Sequence, residues 1–565
     1  RATFILAVRS WAKCSRPYEY AFSRTRWITA EDVENLRTRH LAWWKRFWSM
    51  SEISLDDPVI EQRYYLSKYM LASLSRDPDY PPNILGISTF DRPAWNGNYK
   101  INYNHQSPYL NLMVSGHFEQ SDPHDAPYLK LMEISDEMCK RLLHHEGLYY
   151  PLGLGPDGVV SEALLLHMKS PALHGALNMI YRYEISQDTR YAWKVYPYLR
   201  GVAEFWEKDL VLRDGVYHVV GDGMHERTDG NIRENGVPED PVNTLGYLKT
   251  FFTRLPKISE ALELDEEKRT KWQEIAENLA PYPKGTIREI QDNPTLWKEV
   301  DVKLEDLLPQ EMLDKEIYYD EGVGGKWSFH FPGNIMHIYP GNAVGLGSDQ
   351  KELEVARNTV HIHSLVENKL GELEYKKALE RAADEKKATV VKHAHFYKAG
   401  AFNASNLSCL FFTAAVRTGY DPDIIWNEMR DMIIHRGIPN GFLKENPHGI
   451  EQLNTIPDAI QEMMLQSYED VIRIFPVWPR KKHPNASFRN FRAWGGFEVS
   501  ASLKDGEIEK VTVLSHKGNT CRVENPWPEK SVIVKYGYSG REEVCFGEYL
   551  SIELQKEEQV LLFVL

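Results

Sequence analysis

The stretch Glu462-Met-Met-Leu-Gln-Ser-Tyr-Glu-Asp-Val-Ile-Arg-Ile-Phe-Pro-Val-Trp-Pro479 marks the point where the chain changes from one periodicity to another. Beyond it, every second residue of segment 497–503 is apolar, and an Asp505-Gly506 pair follows. Such alternation is typical of a half-buried strand, and Asp-Gly favours a hairpin turn. The sequence therefore predicts a β-rich C-terminal module, with further strands at 508–513, 532–536 and 560–565.

Upstream of this stretch, apolar residues recur three or four positions apart, which is the spacing of an amphipathic helix. Thr29 and Asp32 resemble a capping box at the start of the first such helix. The spacing predicts further helices at 59–75, 127–145, 162–183, 189–209, 242–263, 349–370, 405–418 and 422–435. A large all-α body follows from this pattern. Its long loops, where function is expected, are 76–125, 211–241, 315–348 and 436–458.

Composition narrows the partners of this chain. Its 565 residues include 67 basic and 81 acidic side chains, which gives a formal net charge of −14. An acidic surplus disfavours nucleic acid and anionic membranes, because neither gains from counterion release or surface attraction. A neutral ligand fits better. The chain opens at Arg1 without a signal-peptide pattern, and segment 2–8 has the composition of a strand whose partners lie elsewhere, so we expect a processed or truncated start.

Motifs of several other chemistries are weak or absent. The five cysteines form no CxxC pair, which argues against a disulfide framework or a zinc ribbon. The pairs His361-Ile-His363 and His393-Ala-His395 have no acidic third ligand at a fixed spacing, so a metal site is not favoured. The glycines at 153–158 match a dinucleotide fingerprint by letter but follow no clear strand. No cofactor is expected.

The first polar loop combines amides with aromatic rings. Asn102, Asn104 and Gln106 would share one face of an extended segment that also contains Tyr103, His105 and, further upstream, Trp95. Carboxamides can hold a water because they both donate and accept hydrogen bonds, and aromatic rings suit the C–H faces of a sugar. The alternative is a loop in which asparagines serve turn geometry.

Two other loops supply carboxyl groups. Glu226 lies between His225 and Arg227 in a Gly-rich loop, where a partly buried carboxyl could stay protonated as a proton donor. Glu451 follows His448 in a second loop. One proton-donating and one proton-accepting carboxyl are what cleavage of a glycosidic bond requires. The alternative is that these acids are simply solvated.

A fourth loop, 327–341, is rich in aromatic and imidazole side chains. Trp327, His337 and Tyr339 could line the same cleft as the two acids. The alternative is an ordinary aromatic packing loop.

Five segments, taken in order, carry a family signature. They read Pro-Pro-Asn-Ile-Leu-Gly-Ile at 81–87, Tyr-Pro-Tyr-Leu-Arg-Gly-Val-Ala-Glu-Phe-Trp at 196–206, Ile-Tyr-Pro-Gly at 338–341, the stretch 462–479 quoted above, and Ala-Trp-Gly-Gly-Phe-Glu-Val at 493–499. Over roughly residues 31–515 the chain resembles glycoside hydrolase family 95, the α-L-fucosidase and α-L-galactosidase family of inverting enzymes. The resemblance implies an (α/α)6 barrel.

The resemblance also implies roles for individual residues. Asn102 and Asn104 fall on the asparagine pair that positions the attacking water, and Glu226 falls by position on the general acid. Glu451 falls on the base-side aspartate and is one methylene longer. The activity implied is exo-hydrolysis of a terminal α-L-fucose- or α-L-galactose-like sugar from an oligo- or polysaccharide. Expected sugar contacts are Trp95, Tyr103, His105, His225, Arg227, Trp327, His337, Tyr339 and His448.

The resemblance extends to domain organisation and leaves two alternatives open. We expect a remnant strand and linker at 1–30 in place of the family's N-terminal β-domain, a barrel at 31–480 and a β-sandwich-like module at 481–565. A periplasmic or extracellular location is implied. The first alternative is a polysaccharide lyase on a helical toroid, and the second is a glycan-binding protein without turnover.

Overall fold

A computed structural model of the chain describes residues 3–11, 13–84, 86, 94–161, 163–164, 167–223, 237–289, 308–320, 333–365, 408–443 and 449–564. The chain forms two compact units, Arg1–Glu52 and Ile53–Leu565.

The first unit contains two helices, α1 (Pro17–Thr25) and α2 (Ala30–Ser49). The capping box is confirmed, because the Thr29 side chain accepts a hydrogen bond from the Asp32 N–H and the Asp32 carboxylate accepts one from the Thr29 N–H at 2.9 Å. The strand expected at 2–8 is wrong for residues 3–8, which have no regular structure. Phe4 and Leu6 there are 92% and 88% exposed, since no strand in the described residues pairs with them.

The second unit begins with a helical body. Its helices are α3 (Pro58–Leu74), α4 (Ser107–Val114), α5 (Phe118–Ser121), α6 (Ala126–Lys130), α7 (Met132–Leu142), α8 (Pro171–Ser186), α9 (Thr189–Asp209), α10 (Val242–Leu262), α11 (Glu266–Glu277), α12 (Gln310–Leu313), α13 (350–365), α14 (Ser408–Arg417), α15 (Pro422–Arg436) and α16 (Thr455–Met464). Most predicted helices are present with shifted ends, but the segment predicted at 127–145 is two helices, α6 and α7, separated at Leu131. Residues 366–370 and 405–407 of two predicted helices lie outside the described residues. In α8 the start moves to Pro171, because proline is favoured at the first helical position.

Two helices, α8 and α16, each pack against three other helices of this body. Helix α8 packs against α4, α9 and α10, and α16 packs against α3, α4 and α14. Helices α8 and α10 are buried along almost their whole length because other elements cover several of their faces. The N-terminal ends of α4, α8 and α16 hold most of the described residues that matter for the site.

Close packing of α10 depends on a glycine. A Cβ atom built on Gly246 would lie 2.3 Å from the Cβ and 2.7 Å from the Cα of His337. Either α10 or the segment that contains His337 would therefore have to move. We expect Gly246→Ala to lower the free energy of unfolding by about 1–3 kcal/mol in urea titrations. Gly158→Ala is the matched control, because nothing lies within 4 Å of its Cβ position. Equal stability of the two variants would contradict this packing.

Short two-stranded pairs connect the helices. They are β2 (Tyr99–Lys100) with β3 (Gly153–Leu154), β4 (Val211–Arg213) with β5 (Val216–His218), β6 (Lys284–Thr286) with β7 (Glu316–Tyr318), and β8 (Leu465–Gln466) with β9 (Arg473–Ile474).

The C-terminal part is an antiparallel β module, as predicted. Its strands are β10 (Ala486–Ala493), β11 (Phe497–Lys504), β12 (Glu507–Ser515), β13 (Thr520–Glu524), β14 (Val532–Tyr536), β15 (Glu542–Cys545), β16 (Tyr549–Glu553) and β17 (Glu558–Phe563). The main sheet has the order β1-β10-β11-β12-β17-β14-β15, where β1 is Glu52–Leu55, and β13 pairs with β16. The Asp505-Gly506 turn between β11 and β12 is confirmed, and both residues have positive φ, which glycine adopts at little cost.

One hydrophobic core joins the helical body to the sheet, since buried residues of α8, α16 and β10 to β12 belong to the same cluster. Among the helices that the structure describes, none is both long and apolar enough to cross a lipid bilayer.

Candidate functional site

The asparagine pair lies in a tight turn between β2 and α4. Backbone hydrogen bonds hold the turn: Ile101 N–H donates to Leu152 O at 3.0 Å, and His105 N–H donates to Lys100 O at 2.9 Å. Asn102 and Asn104 are only 3% and 7% exposed. The turn therefore fixes both amides at the entrance to α4, inside the helical body.

Helix α8 supports the same turn. His174 Nδ1 donates to the Asn102 carbonyl oxygen at 2.9 Å. Burial lowers the pKa of His174 to about 3, so the ring is neutral and its Nε2 is left as a hydrogen-bond acceptor. A neutral, fixed imidazole next to the amides gives this region polarity without a net charge.

The aromatic residues of this loop differ in their exposure. Trp95 is 57% exposed at a positive φ, whereas Tyr103 is buried. His105 is also buried, where it donates to the His124 carbonyl at 3.0 Å and stacks on the His124 ring. Burial lowers the pKa of His105 to about 3. Of these three expected sugar contacts, Trp95 is the one the structure leaves open to solvent.

Glu451 lies in a 3-10 turn, Ile450–Leu453, directly before α16, and is 1% exposed. Two backbone hydrogen bonds connect this turn with the asparagine loop: Ile450 N–H donates to Ile84 O at 3.1 Å, and Ile84 N–H donates to Asn98 O at 3.3 Å. The structure thus brings the segment that holds Glu451 next to the one that leads to Asn102.

A side-chain contact joins the same two segments. Asn454 Oδ1 accepts hydrogen bonds from Asn111 Nδ2 at 2.6 Å and from Asn111 N–H at 3.2 Å. Asn111 belongs to α4, which begins just after the asparagine pair, and Asn454 follows Glu451 by three residues. Because both asparagines are fully buried, the contact fixes the two segments in register.

Five of the predicted site residues lie outside the described residues: His225, Glu226, Arg227, Trp327 and His448.

The described residues on both sides of 224–236 are nevertheless well anchored. Asp222 accepts hydrogen bonds from Lys169 N–H at 2.6 Å and from the Thr244 hydroxyl at 2.6 Å, and burial raises its pKa to about 6. Gly221 N–H donates to Pro238 O at 2.8 Å, which holds the two sides together. Lys169 lies two residues before α8, so the described residues on both sides of 224–236 are tied to the start of the helix that supports Asn102.

The described part of the fourth loop, residues 333–341, packs into the protein. His337 is fully buried with its ring 4.2 Å from the Tyr318 ring, and burial lowers its pKa to about 3. Tyr339 is 2% exposed, with the Arg417 guanidinium 4.8 Å above its ring. In the described structure these side chains contact protein groups.

The sequence analysis did not identify a pair of buried acidic residues on α16, Asp458 and Glu462. The Thr413 hydroxyl donates to Asp458 at 2.8 Å, and Glu462 forms a bidentate ion pair with Arg417 at 2.8 and 3.1 Å. Asp458, Glu462 and Arg417 line a partly open cavity together with Trp494. The available signal was two acids four residues apart in an otherwise apolar helix, which places them on one buried face.

The raised pKa of the buried Asp458 carboxyl group makes the stability of the protein depend on pH. Burial raises its pKa from 3.8 to about 7, so the folded state keeps a proton that the unfolded chain loses between those values. The free energy of unfolding therefore falls as pH rises through this window. We expect Asp458→Asn to gain stability relative to the unmodified chain by about 1 kcal/mol per pH unit from pH 4 to 7, in urea titrations at several pH values. A difference that stays constant with pH would contradict this.

Comparison with known families agrees with these observations. The chain matches the model of the glycosyl hydrolase family 95 catalytic domain over residues 13–303, just over half of its length, and the model of the glycoside hydrolase family 95 C-terminal domain over residues 466–560. The chain belongs to glycoside hydrolase family 95. The family resemblance predicted from the sequence is confirmed, and so is the fold class, an (α/α)6-type helical body with a C-terminal β module.

The candidate residues are unevenly distributed over the two matched regions. Asn102, Asn104 and Glu226 lie inside the matched part of the family 95 catalytic domain, whereas Glu451 lies between the two regions. No curated protein sequence matches this family 95 member.

Several solved structures are similar to the chain at low sequence identity. A putative kojibiose phosphorylase from the human microbiome has 13% identity and a TM-score of 0.49, with 96% of this chain and 72% of that chain covered. The α-L-rhamnosidase from Dictyoglumus thermophilum has 13% sequence identity and a TM-score of 0.45, and the match covers 91% of this chain and 50% of that chain. The GH78 family rhamnosidase of Bacillus sp. GL1 has 10% sequence identity and a TM-score of 0.40, and the match covers 80% of this chain and 40% of that chain. The chain thus spans half or less of both rhamnosidases.

Proposed function

We propose that this family 95 member is an inverting exo-glycosidase that removes a terminal α-L-fucose- or α-L-galactose-like sugar from an oligo- or polysaccharide. Glu226 acts as the general acid. Glu451, with Asn102 and Asn104, holds and deprotonates a water on the opposite face of the sugar ring. The proposed reaction requires no cofactor.

The observation that carries the proposal is the junction between the asparagine turn and the Glu451 turn. Both turns precede inner helices that pack against each other, and Asn111 and Asn454 join them directly. A buried carboxyl group on a turn that is held next to the asparagine loop is suited to orient a water, because the amides can donate to the water and accept from it while the carboxylate takes its proton.

The acid side is supported by the anchors of the segment that includes Glu226. Asp222 ties one side of it to the start of α8, and the same helix reaches Asn102 through His174. These described anchors connect to α8, whereas Glu451 belongs to the turn before α16. Carboxyl groups on two sides of a bound sugar are the arrangement that inversion requires.

The proton and bond balance of the step is simple. The water oxygen bonds to the anomeric carbon as the bond to the leaving oxygen breaks. The Glu226 carboxyl gives its proton to the leaving oxygen, and Glu451 takes one from the water. The products are the free sugar of inverted configuration and the shortened glycan.

A screen of aryl α-L-fucoside, α-L-galactoside and α-L-rhamnoside, with NMR of the anomer released first, tests the proposal. We expect turnover of at least one glycoside with the β anomer appearing first. Initial release of the α anomer would contradict inversion. Glycan binding without turnover would favour a binding protein, and an absorbing unsaturated uronate would favour a lyase.

A further inference from the structure

Lys68 of α3 is a buried cation that the proposed reaction does not use. It is 1% exposed, and its ammonium donates to Asn111 Oδ1 at 2.6 Å, to the Asn111 carbonyl at 3.0 Å and to the Ser115 hydroxyl at 2.6 Å. Three acceptors match the three N–H groups of an ammonium. All three are neutral oxygens, and Asp458, where it is ionised, raises the pKa of Lys68 against the larger effect of desolvation.

Burying such a group is costly, because an ammonium loses its hydration and gains here no ion pair with its direct acceptors. Desolvation accordingly lowers the pKa of Lys68 well below its ordinary value. Stability alone would be served as well by an apolar side chain of similar length. Stability alone therefore does not account for Lys68, and its role is sought in the groups that it orients.

A chain of hydrogen bonds leads from Lys68 through Asn111 to Asn454, and each group donates to the next. The ammonium donates to Asn111 Oδ1, which turns the amide nitrogen of Asn111 toward Asn454, and that nitrogen donates to Asn454 Oδ1. A charged donor at the start of the chain strengthens the bonds that follow it. Backbone groups support the same arrangement, because Asn111 Nδ2 also donates to the Pro108 carbonyl at 3.1 Å and the Asn111 N–H donates to Asn454 Oδ1 at 3.2 Å. Each amide thus has a single orientation, to which the bond from Lys68 contributes.

Asn454 is part of the turn that contains Glu451. Its backbone N–H donates to the Glu451 carbonyl at 3.1 Å, and its side chain is the point where α4 holds this turn. The same turn also contacts α3, which carries Lys68. Movement at Asn454 would consequently move Glu451 relative to the asparagine pair.

We propose that Lys68 is a positioning residue, which fixes the Glu451 turn through Asn111 and Asn454. The proposal rests on the proposed function for the role of Glu451, but the fixed turn itself does not depend on it.

Lys68→Met tests the proposal, because methionine keeps the length and removes the donor. We expect kcat to fall by about 10²-fold with little change in KM, because a displacement of about 1 Å at a reacting group costs that much. Hydrogen–deuterium exchange of amides 449–455 should increase at the same time. Lys249→Met is the control, since Lys249 donates to the Ala276 carbonyl on α11.

A second variant guards against loss of folding in Lys68→Met. Asn454→Ala breaks the chain of bonds at its far end while Lys68 keeps all three acceptors, and it should give the same loss of kcat and the same increase in exchange. Unchanged exchange at 449–455 in a folded variant would overturn the proposal. If the unmodified protein turns over no glycoside, the proposed function fails, and the exchange measurement still decides whether Lys68 fixes the turn.

Discussion

Replacing Glu226 with glutamine is expected to lower kcat for a sugar–sugar bond by about 10²–10⁴-fold, because the amide has no proton to give to the leaving oxygen. The loss should be much smaller for a dinitrophenyl glycoside, whose leaving group departs as a stable anion. Steady-state kinetics with both substrates would measure this difference. The difference between substrates, rather than the loss alone, identifies a general acid.

Asp229→Asn is the matched control for this variant. It removes a carboxyl from the same Gly-rich segment, three residues away, and is expected to keep kcat within about twofold of the unmodified protein. An equal loss on both substrates for Glu226→Gln, or a comparable loss for Asp229→Asn, would remove Glu226 from the acid role.

Glu451→Gln should show the opposite substrate pattern. We expect kcat to fall by about 10²–10⁴-fold for activated and unactivated glycosides alike, because every substrate needs a deprotonated water. The acidic limb of the pH profile of kcat/KM, which reports ionisation of the base, should disappear. Azide added to Glu451→Gly should restore turnover and yield a glycosyl azide of inverted configuration.

Glu184→Gln controls for the loss of a buried carboxyl. Glu184 is 4% exposed on α8 and lies 3.7 Å from Arg254, away from the asparagine turn. Its variant should fold and keep the pH profile. If Glu451→Gln affects only unactivated substrates, Glu451 is not the base.

Local sequence signals predicted most of the fold. The segment predicted at 189–209 is α9, Thr189–Asp209, because its apolar period and the Asp188 cap are both local features. The strand at 2–8 failed for the opposite reason. A strand exists through hydrogen bonds to a partner, and the composition of one segment does not say whether that partner is present.

Candidate site residues could be proposed from the sequence where they are close together along the chain. Asn102 and Asn104 form a visible local motif, but the extended segment expected there is wrong, because residues 101–106 form a turn in which both asparagines lie buried before α4. The support for the Glu451 turn was not predictable, because Asn111 and Asn454 are 343 residues apart and only the fold brings them together. Lys68, 43 residues from Asn111, gave no signal beyond a lysine in a helix.

The buried acids show a related limit. Asp458 and Glu462 could be placed on one face of α16 from their spacing, but the ion pair with Arg417 and the raised pKa of Asp458 depend on contacts across the core. Chemical environment is a tertiary property, so sequence spacing indicates candidates and the packing decides their charge state.

The account depends on the two carboxyl groups facing each other across one bound sugar. A crystal structure with the released sugar or a non-hydrolysable analogue would measure the distance between the carboxyl groups of Glu226 and Glu451. We predict roughly 6.5–9.5 Å, with the amides of Asn102 and Asn104 on the Glu451 side, which leaves room for the attacking water. A separation of about 5 Å, or carboxyl groups that open into different cavities, would contradict the account.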